Sequence, residues 1–503
     1  MIINEIEKLL GQRFCIEYNI NTKINYEVKF VDAKELIVAD RIDLIAKIKY
    51  VEAYVNNYSG HFFNDLYIEH IGSFTNGTFI ESTQRDTKNT KDAYVSTFNK
   101  LIDDIKVNGI DPNISIIPVG KNNTILDGAH RVAIASYFGI KIPVVYFDEI
   151  QVKNDASFFE NRMLPKNYLD YIIYHYCKNK NNIYTACLWP IANSKNELFP
   201  KVEEIFANNC TIVYKRKIDV NIHMLRNFMI QVYSGFDWLG ALNDHFIGAS
   251  AYAEDVNDKS GYLTLFILEN DDLQNIKRIK NEIRDLYKIG NSSIHISDTH
   301  EESMNILQML LNDNSLHCLK YAEPDKYKKF NLQIENLKQE FKTHGIDQDD
   351  LAIDSGSVLA LYGLRDTRDI DCISNLNLEN INKIEKHEHN EYYYDVDVSD
   401  IINNPINHFY YYGLKFVSIP LLIDMKKKRY KDNNETKDKD DIYLLNSLNG
   451  KKTIVSFIKG TSITVKRKFR SIKYTIIDIL IHSIFYKPLK YIYYHVFRRN
   501  DNK

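Results

Sequence analysis

Apolar and polar positions along this chain follow two rhythms. Short apolar runs such as "NISIIPVG", "KIPVVYFDEI", "NIYTACLWP", "GYLTLFILEN" and "SSIHISD" predict strands. Segments with apolar residues three and four apart predict amphipathic helices. They include "DAYVSTFNKLIDDIKVNG", closed by Gly109, "LQNIKRIKNEIRDLYKIG" and "EESMNILQMLLND". The two kinds interleave throughout, so the expected class is multidomain α/β. At about 150 residues per domain, 503 residues make three or four units. The expected divisions are 1–160, 165–328 and 332–452, followed by a tail at 455–503. The polar helix "KYKKFNLQIENLKQEFKTHG" leads into the third.

Composition narrows the picture. Apolar residues make up 44% and charged residues 26%, which suits a folded chain. The net charge of −3 does not mark a nucleic-acid binder, so any basic surface must be local. Six cysteines form no CxxC pair, which points away from a zinc ribbon or disulfide framework and towards a reducing compartment. The start, "MIINEIEKLLGQRF", is charged throughout and lacks a signal-peptide core, so a cytoplasmic location is expected. The 35 tyrosines fit a coding bias and are not all functional.

The stretch "DSGSVLALYGLRDTRDIDCIS", residues 354–374, carries the strongest chemistry. It reads as a turn entering a short helix at Gly356 and Ser357, then a strand with Asp369 and Asp371 on one face. Two carboxylates about 4 Å apart repel by roughly 4 kcal/mol at an effective dielectric near 20, so water, a base or a metal ion must compensate. "EYYYDVDVSD" predicts a further strand offering Asp395 and Asp397. Carboxylates converging from two strands would suit Mg²⁺ (or Mn²⁺) and a nucleoside triphosphate. The alternative is an ordinary charged strand edge.

These pieces resemble the DNA polymerase β-like nucleotidyltransferases over about 110 residues. "LKFVSIPLLIDMKKKRYKDNNETKDKDDIYLL" looks like the basic helix and Lys-Asp pair that follow the site in bacterial members. The resemblance implies that Gly356 and Ser357 hold phosphates and that Asp369 and Asp371 bind metal. Asp395 or Asp397 would be the third carboxylate, with Asp397 favoured as deeper in the strand.

A second constellation is "NNTILDGAHRVAIASYFGIKIPVVYFDEI". A strand, "TILD", turns through Gly128 into a helix opening with His130 and Arg131, an arrangement suited to phosphate. It resembles the ParB/sulfiredoxin-like fold across residues 75–150. That fold hosts a DNA-partitioning CTPase, a sulfinic-acid reductase and free-serine kinases, so it does not choose a reaction. The resemblance implies phosphate contacts from Asp127, Gly128, His130 and Arg131, with Glu81 as a candidate general base. No helix-turn-helix unit follows and no cysteine sits in the turn, which count against partitioning and sulfiredoxin chemistry. A buried His-Arg pair stabilising the turn is the alternative.

In the middle unit, His295 and Ser297 share a strand face, and Asp298, His300, Glu301 and Glu302 follow at the strand-to-helix turn. They suit an anion or metal, or else Asp298 or Thr299 caps the helix. Residues 466–503 carry ten Lys/Arg against two Asp. "YTIIDILIHSIFY" is shorter than the roughly 20 residues that span a bilayer. A helix lying on an anionic membrane is expected. The alternative is a packing helix that places Ile476, Ile479, Leu480 and Phe485 in the core.

Together these features predict a bifunctional nucleotide-dependent phosphoryl or nucleotidyl transferase. Its acceptor would be a sugar- or amino-acid-like small molecule for a bacterial capsule or lipopolysaccharide. A nucleic-acid-associated defence or partition protein and a nucleotide-binding scaffold without turnover are the competing classes.

Overall fold

The computed structural model describes residues 2–3, 5–82, 87–376, 378, 384–386, 391–448, 465–466, 469–470 and 472–476, with backbone alone at 81–82, 87–88 and 385. The chain is a mixed α/β protein. Among the described residues, its larger sheets have three, four and five strands.

Lys141–Tyr146 is the middle strand of the first sheet. It runs parallel to Ile117–Val119 and antiparallel to Lys29–Asp32. Helix Ala129–Phe138 crosses between the two parallel strands. The expected helix over "DAYVSTFNKLIDDIKVNG" is present as Lys91–Asn108, ended by Gly109 at φ 68°. The expected "TILD" strand is absent; Ile125 makes only an isolated bridge to Val119. Asn122 and Asn123 take positive φ and turn the chain straight back. Leu126 N–H then bonds Pro118 O, which leaves a tight loop instead of a strand. Arg41 braces that loop by donating to the Ile125 carbonyl. Its guanidinium also grips buried Asp43 at 2.8 and 3.0 Å, and Lys47 donates to the same carboxylate at 2.8 Å. Burial opposes ionisation of Asp43, but the two cations outweigh it and hold the carboxyl far below its usual range.

The second sheet joins Ile183–Leu188, Thr211–Asp219, Tyr262–Glu269 and Ile294–Ile296. Numbered along the chain, their order is 4-1-3-2 and every neighbouring pair is antiparallel. This is the split β-α-β arrangement, with a helical insertion between the second and third strands. "YLTLFILE" shows why the sheet is buried on both faces. Leu263, Leu265 and Ile267 enter one core, while Phe266 and Leu268 enter another beneath helices Phe199–Asn209 and Leu273–Tyr287. The first of these cores runs from Ala33 to Leu319. Helix Lys166–Lys178 contributes Leu169, Ile172, Ile173 and Tyr176 to it, so the first two units share apolar packing.

The third sheet is ordered Glu385–Lys386, Asp371–Ser374, Leu351–Asp354, Leu414–Val417, His408–Tyr411. It has its own core, flanked by Lys328–His344 and Ile419–Asn433. No helix among the described residues is long and apolar enough to cross a membrane. In the tail, residues 465–466, 469–470 and 472–476 are helical. Ile479, Leu480 and Phe485 lie outside the described residues.

Candidate functional site

Strand Leu351–Asp354 ends at Ser355, which has φ 53° and ψ −120° and opens the six-residue helix Gly356–Leu361. A side chain seldom adopts that backbone geometry, which costs on the order of 1–3 kcal/mol. Gly356 follows because Thr367 crosses close by: a Cβ there would stand 2.6 Å from Thr367 Oγ1. Ser357 is fully buried, and its hydroxyl faces the Asp369 carbonyl at 3.5 Å, a marginal contact. Thr367 Oγ1 donates to the same carbonyl at 3.0 Å. Gly356 and Ser357 therefore shape the loop that returns to Asp371. Ser355→Gly should raise stability by about 1 kcal/mol by relieving the turn. Urea unfolding checks this; equal or lower stability would mean the turn is unstrained.

The return loop sets two carboxylates side by side. Asp354 and Asp371 are direct partners across antiparallel strands, so their side chains share one sheet face, and both are buried. Tyr394 donates to Asp354 Oδ1 at 2.6 Å. Burial first, and then Asp354, push the Tyr394 hydroxyl well above its ordinary pKa. Cys372 rises to about 12, mainly through burial, with Asp354 and Asp371 adding to it. Asp369 lies before the strand and is exposed. Asp354 was not foreseen as a site residue. Its signal was its place at the end of an apolar strand just before the Ser-Gly turn.

The strand expected over "EYYYDVDVSD" is not formed. Asp397 caps helix Val398–Asn403, accepting from Ser399 N–H at 3.0 Å, and Ser59 of the first unit also donates to it. Asp400 accepts from the N–H groups of His61 and Phe62, at the start of helix Phe62–Phe74. Asp395 is exposed and pairs with Lys428. The alternation of "DVDVSD" was a capping sequence, with Asp at the N-cap and acid in the first turn. Asp397 is thus an interface and capping residue, and Asp354 takes its place beside Asp371.

The basic helix stands where it supports this loop. Lys426 and Arg429 on Ile419–Asn433 meet Asp438 and Asp441 on Thr436–Leu448. Lys426 Nζ lies 3.2 Å from Asp438 and 2.9 Å from Asp441. Arg429 grips Asp438 at 2.7 and 2.5 Å. Arg365, from the loop before Asp369, forms a fork on Asp441 at 2.6 and 2.8 Å.

In the first unit, Gly128 at φ 84° leads into helix Ala129–Phe138. A Cβ at Gly128 would collide with Ile117, at 2.5 Å. His130 is half-buried, with Nε2 2.9 Å from the Tyr67 hydroxyl and its ring edge-on to Phe98 at 4.6 Å. Arg131 donates to Ser115 and lies 4.0 Å from Asp127. Asp127 is exposed and accepts from Gly128 N–H at 2.6 Å. Glu81 begins a two-residue strand paired with Thr87–Lys88; its side chain is outside what is described.

Among the described residues, no group of three or more His, Cys, Asp or Glu side chains is arranged to hold a metal ion. Mg²⁺ keeps several waters and takes one or two carboxylates plus substrate phosphates, so the hard oxygens of Asp354 and Asp371 fit it chemically. No family model, curated protein or solved structure matches the chain.

Proposed function

We propose that the C-terminal unit is a polymerase β-like nucleotidyltransferase with its reacting centre at the Ser355 turn. The observation that carries this is the pair of buried, directly opposed carboxylates, Asp354 and Asp371, beside a strained strand-to-helix elbow. A protein keeps such a pair at a cost in stability, and strain gathers at functional turns. Asp371 and Asp354, with exposed Asp369 at the rim, would hold Mg²⁺ or Mn²⁺, which when bound neutralises triphosphate charge. The reaction joins an acceptor oxygen to the α-phosphorus of a nucleoside triphosphate and breaks its bond to the β-phosphate oxygen, releasing pyrophosphate. Arg365, tied to Asp441, holds the loop in place.

The ParB/sulfiredoxin-like unit is a second nucleotide- or phosphate-handling element in this reading. Gly128, His130 and Arg131 at a helix start support it. Assembly of a capsule or lipopolysaccharide precursor is the wider role, with a sugar- or amino-acid-like acceptor. Attachment to the inner face of the membrane draws support from the tail, where Val465, Phe469, Ile472 and Ile476 are all exposed, spaced as one helix face.

The deciding assay offers the full chain each nucleoside triphosphate with Mg²⁺ and candidate acceptors. Pyrophosphate release lost in Asp369→Asn/Asp371→Asn and kept in His130→Ala/Arg131→Ala is the expected result. Equal loss in both would mean one composite site, and turnover without metal would overturn the reading.

A further inference from the structure

A cleft of about 940 Å³ opens between the middle sheet, its helical insertion and the Tyr411–Leu414 turn of the third unit. Its size is at the upper end of small-molecule sites. One wall is aromatic. Trp238, 45% exposed, stands 5.6 Å from the Tyr252 ring and 5.1 Å from Tyr233. Gly248 allows that approach: a Cβ there would lie 1.8 Å from the Trp238 carbonyl.

The opposite wall is helix His300–Leu310. Glu301, Asn305 and Gln308, four and then three residues apart, all line the cleft. Thr299 caps this helix, as one expectation had it, accepting from Glu302 N–H at 3.1 Å. Yet Glu302 does more than close the cap. Its Oε1 lies 3.0 Å from His295 Nε2, and His295 Nδ1 lies 2.9 Å from the Tyr233 hydroxyl. Burial opposes ionisation of Glu302, but the His295 contact outweighs it and holds the carboxyl below its ordinary range. With Tyr233 at Nδ1 and Glu302 at Nε2, the imidazole is held as part of the wall.

Three groups in this cleft carry an unmatched atom or a charge outside any ion pair among the described residues, although Lys338 Nζ stands 5.3 Å from the centroid of the Tyr412 ring and Gln308 Nε2 donates to the Tyr174 hydroxyl at 3.0 Å. Arg284 and Lys338 line it and have no ion pair, and Arg284 Nε is buried without an acceptor. Gln308 Oε1 is buried without a donor. Lys280, by contrast, is satisfied by the Ile296 carbonyl and Asp298. Buried polar groups left unmatched in a roomy cleft point to a ligand that supplies the match. Two cations outside any ion pair call for an anion. An unmet acceptor and a row of amide and carboxylate side chains call for hydroxyls. Exposed aromatic faces call for a ring with an apolar side.

We propose that this cleft binds a phosphorylated sugar, with phosphate at Arg284 and Lys338, the ring against Trp238, and hydroxyls towards Glu301, Asn305 and Gln308. Neither Asp354 nor Asp371 lines this cleft.

The test is calorimetric titration of the full chain with hexose 1-phosphates, UDP-hexoses, free hexoses and inorganic phosphate. At least one phosphorylated sugar should bind. Its affinity should fall ten-fold or more in Arg284→Gln/Lys338→Met and in Trp238→Ala, and recover in Trp238→Phe, which restores a ring. It should be unchanged in Asp369→Asn/Asp371→Asn, so failure of the carboxylate site leaves this result standing. Three outcomes would overturn the proposal: no phosphorylated sugar binding, equal affinity in the cleft variants, or inorganic phosphate binding as tightly as the sugar phosphates.

Discussion

Asp371→Asn should make the protein more stable and, on the proposed reading, remove nucleotide turnover. Directly opposed residues on antiparallel strands have Cβ atoms about 5 Å apart, where two charges repel by roughly 3 kcal/mol at an effective dielectric of 20. Asp354 and Asp371 occupy such positions and are buried, with Tyr394 donating to Asp354 and the Arg429 charge acting on it. Replacing one carboxylate with an amide of the same shape removes the repulsion. Recovery of about 1 kcal/mol would raise Tm by about 2–4 °C. Mg²⁺ should raise the Tm of the parent chain and leave that of the variant unmoved. Turnover should fall by about 10³-fold or more, the scale of losing one charged group from a reacting centre. Thermal unfolding with and without Mg²⁺ reads the first effect without any assumption about substrate. A variant that is less stable than the parent and still responds to Mg²⁺ would mean that the pair is not the ion's site.

Asp441→Ala should have the largest effect on stability. Asp441 and Lys426 are each only 1% exposed, and Arg365 shares the same carboxylate. Removing the carboxylate leaves a buried ammonium with Asp438 as its remaining anion, and breaking such a pair costs about 3–5 kcal/mol. Urea unfolding measures it; a loss under about 1 kcal/mol would show that solvent screens the network. Asp441→Asn, a milder change, frees Arg365 and should also lower turnover, although Asp441 itself faces the helices. Acid should act in the same direction. Burial works against the charges on Asp438 and Asp441. The bonds from Arg429 and Lys426 to Asp438, and from Arg365 and Lys426 to Asp441, outweigh it, so both carboxyls titrate below their ordinary range. A depressed carboxyl stabilises the fold above its unfolded pKa, near 4, and that contribution is lost as pH falls through the folded value. Helix content in the third unit should therefore decline below about pH 4, and Asp441→Asn should flatten that decline.

Local pattern carried much of this architecture. Periodicity alone placed the helices Lys91–Asn108, Leu273–Tyr287 and His300–Leu310 and the strands Ile183–Leu188, Tyr262–Glu269 and Lys141–Tyr146, because each buries one stripe or alternates two faces. The Ser-Gly turn, the short helix after it and the strand at Asp371 were legible for the same reason: small residues and spacing act over a few bonds. Which carboxylates meet was not legible. "EYYYDVDVSD" satisfies both an alternating strand and an N-cap, and the choice fell to Ser59, His61 and Phe62, more than 300 residues earlier, which engage Asp397 and Asp400. Strand order paired Asp354 with Asp371 across a gap of 17 positions, a register no local rule supplies. Of the cleft, one wall was legible and the rest was not. His295, Asp298, Glu301 and Glu302 stood out in the sequence, but Trp238, Gln308, Lys338 and Tyr412 are each ordinary in their own segments, and only packing of the third unit against the helical insertion brings them around one volume. Short-range sterics and hydrophobic period set the elements of this chain, whereas long-range burial and charge pairing set which side chains face each other.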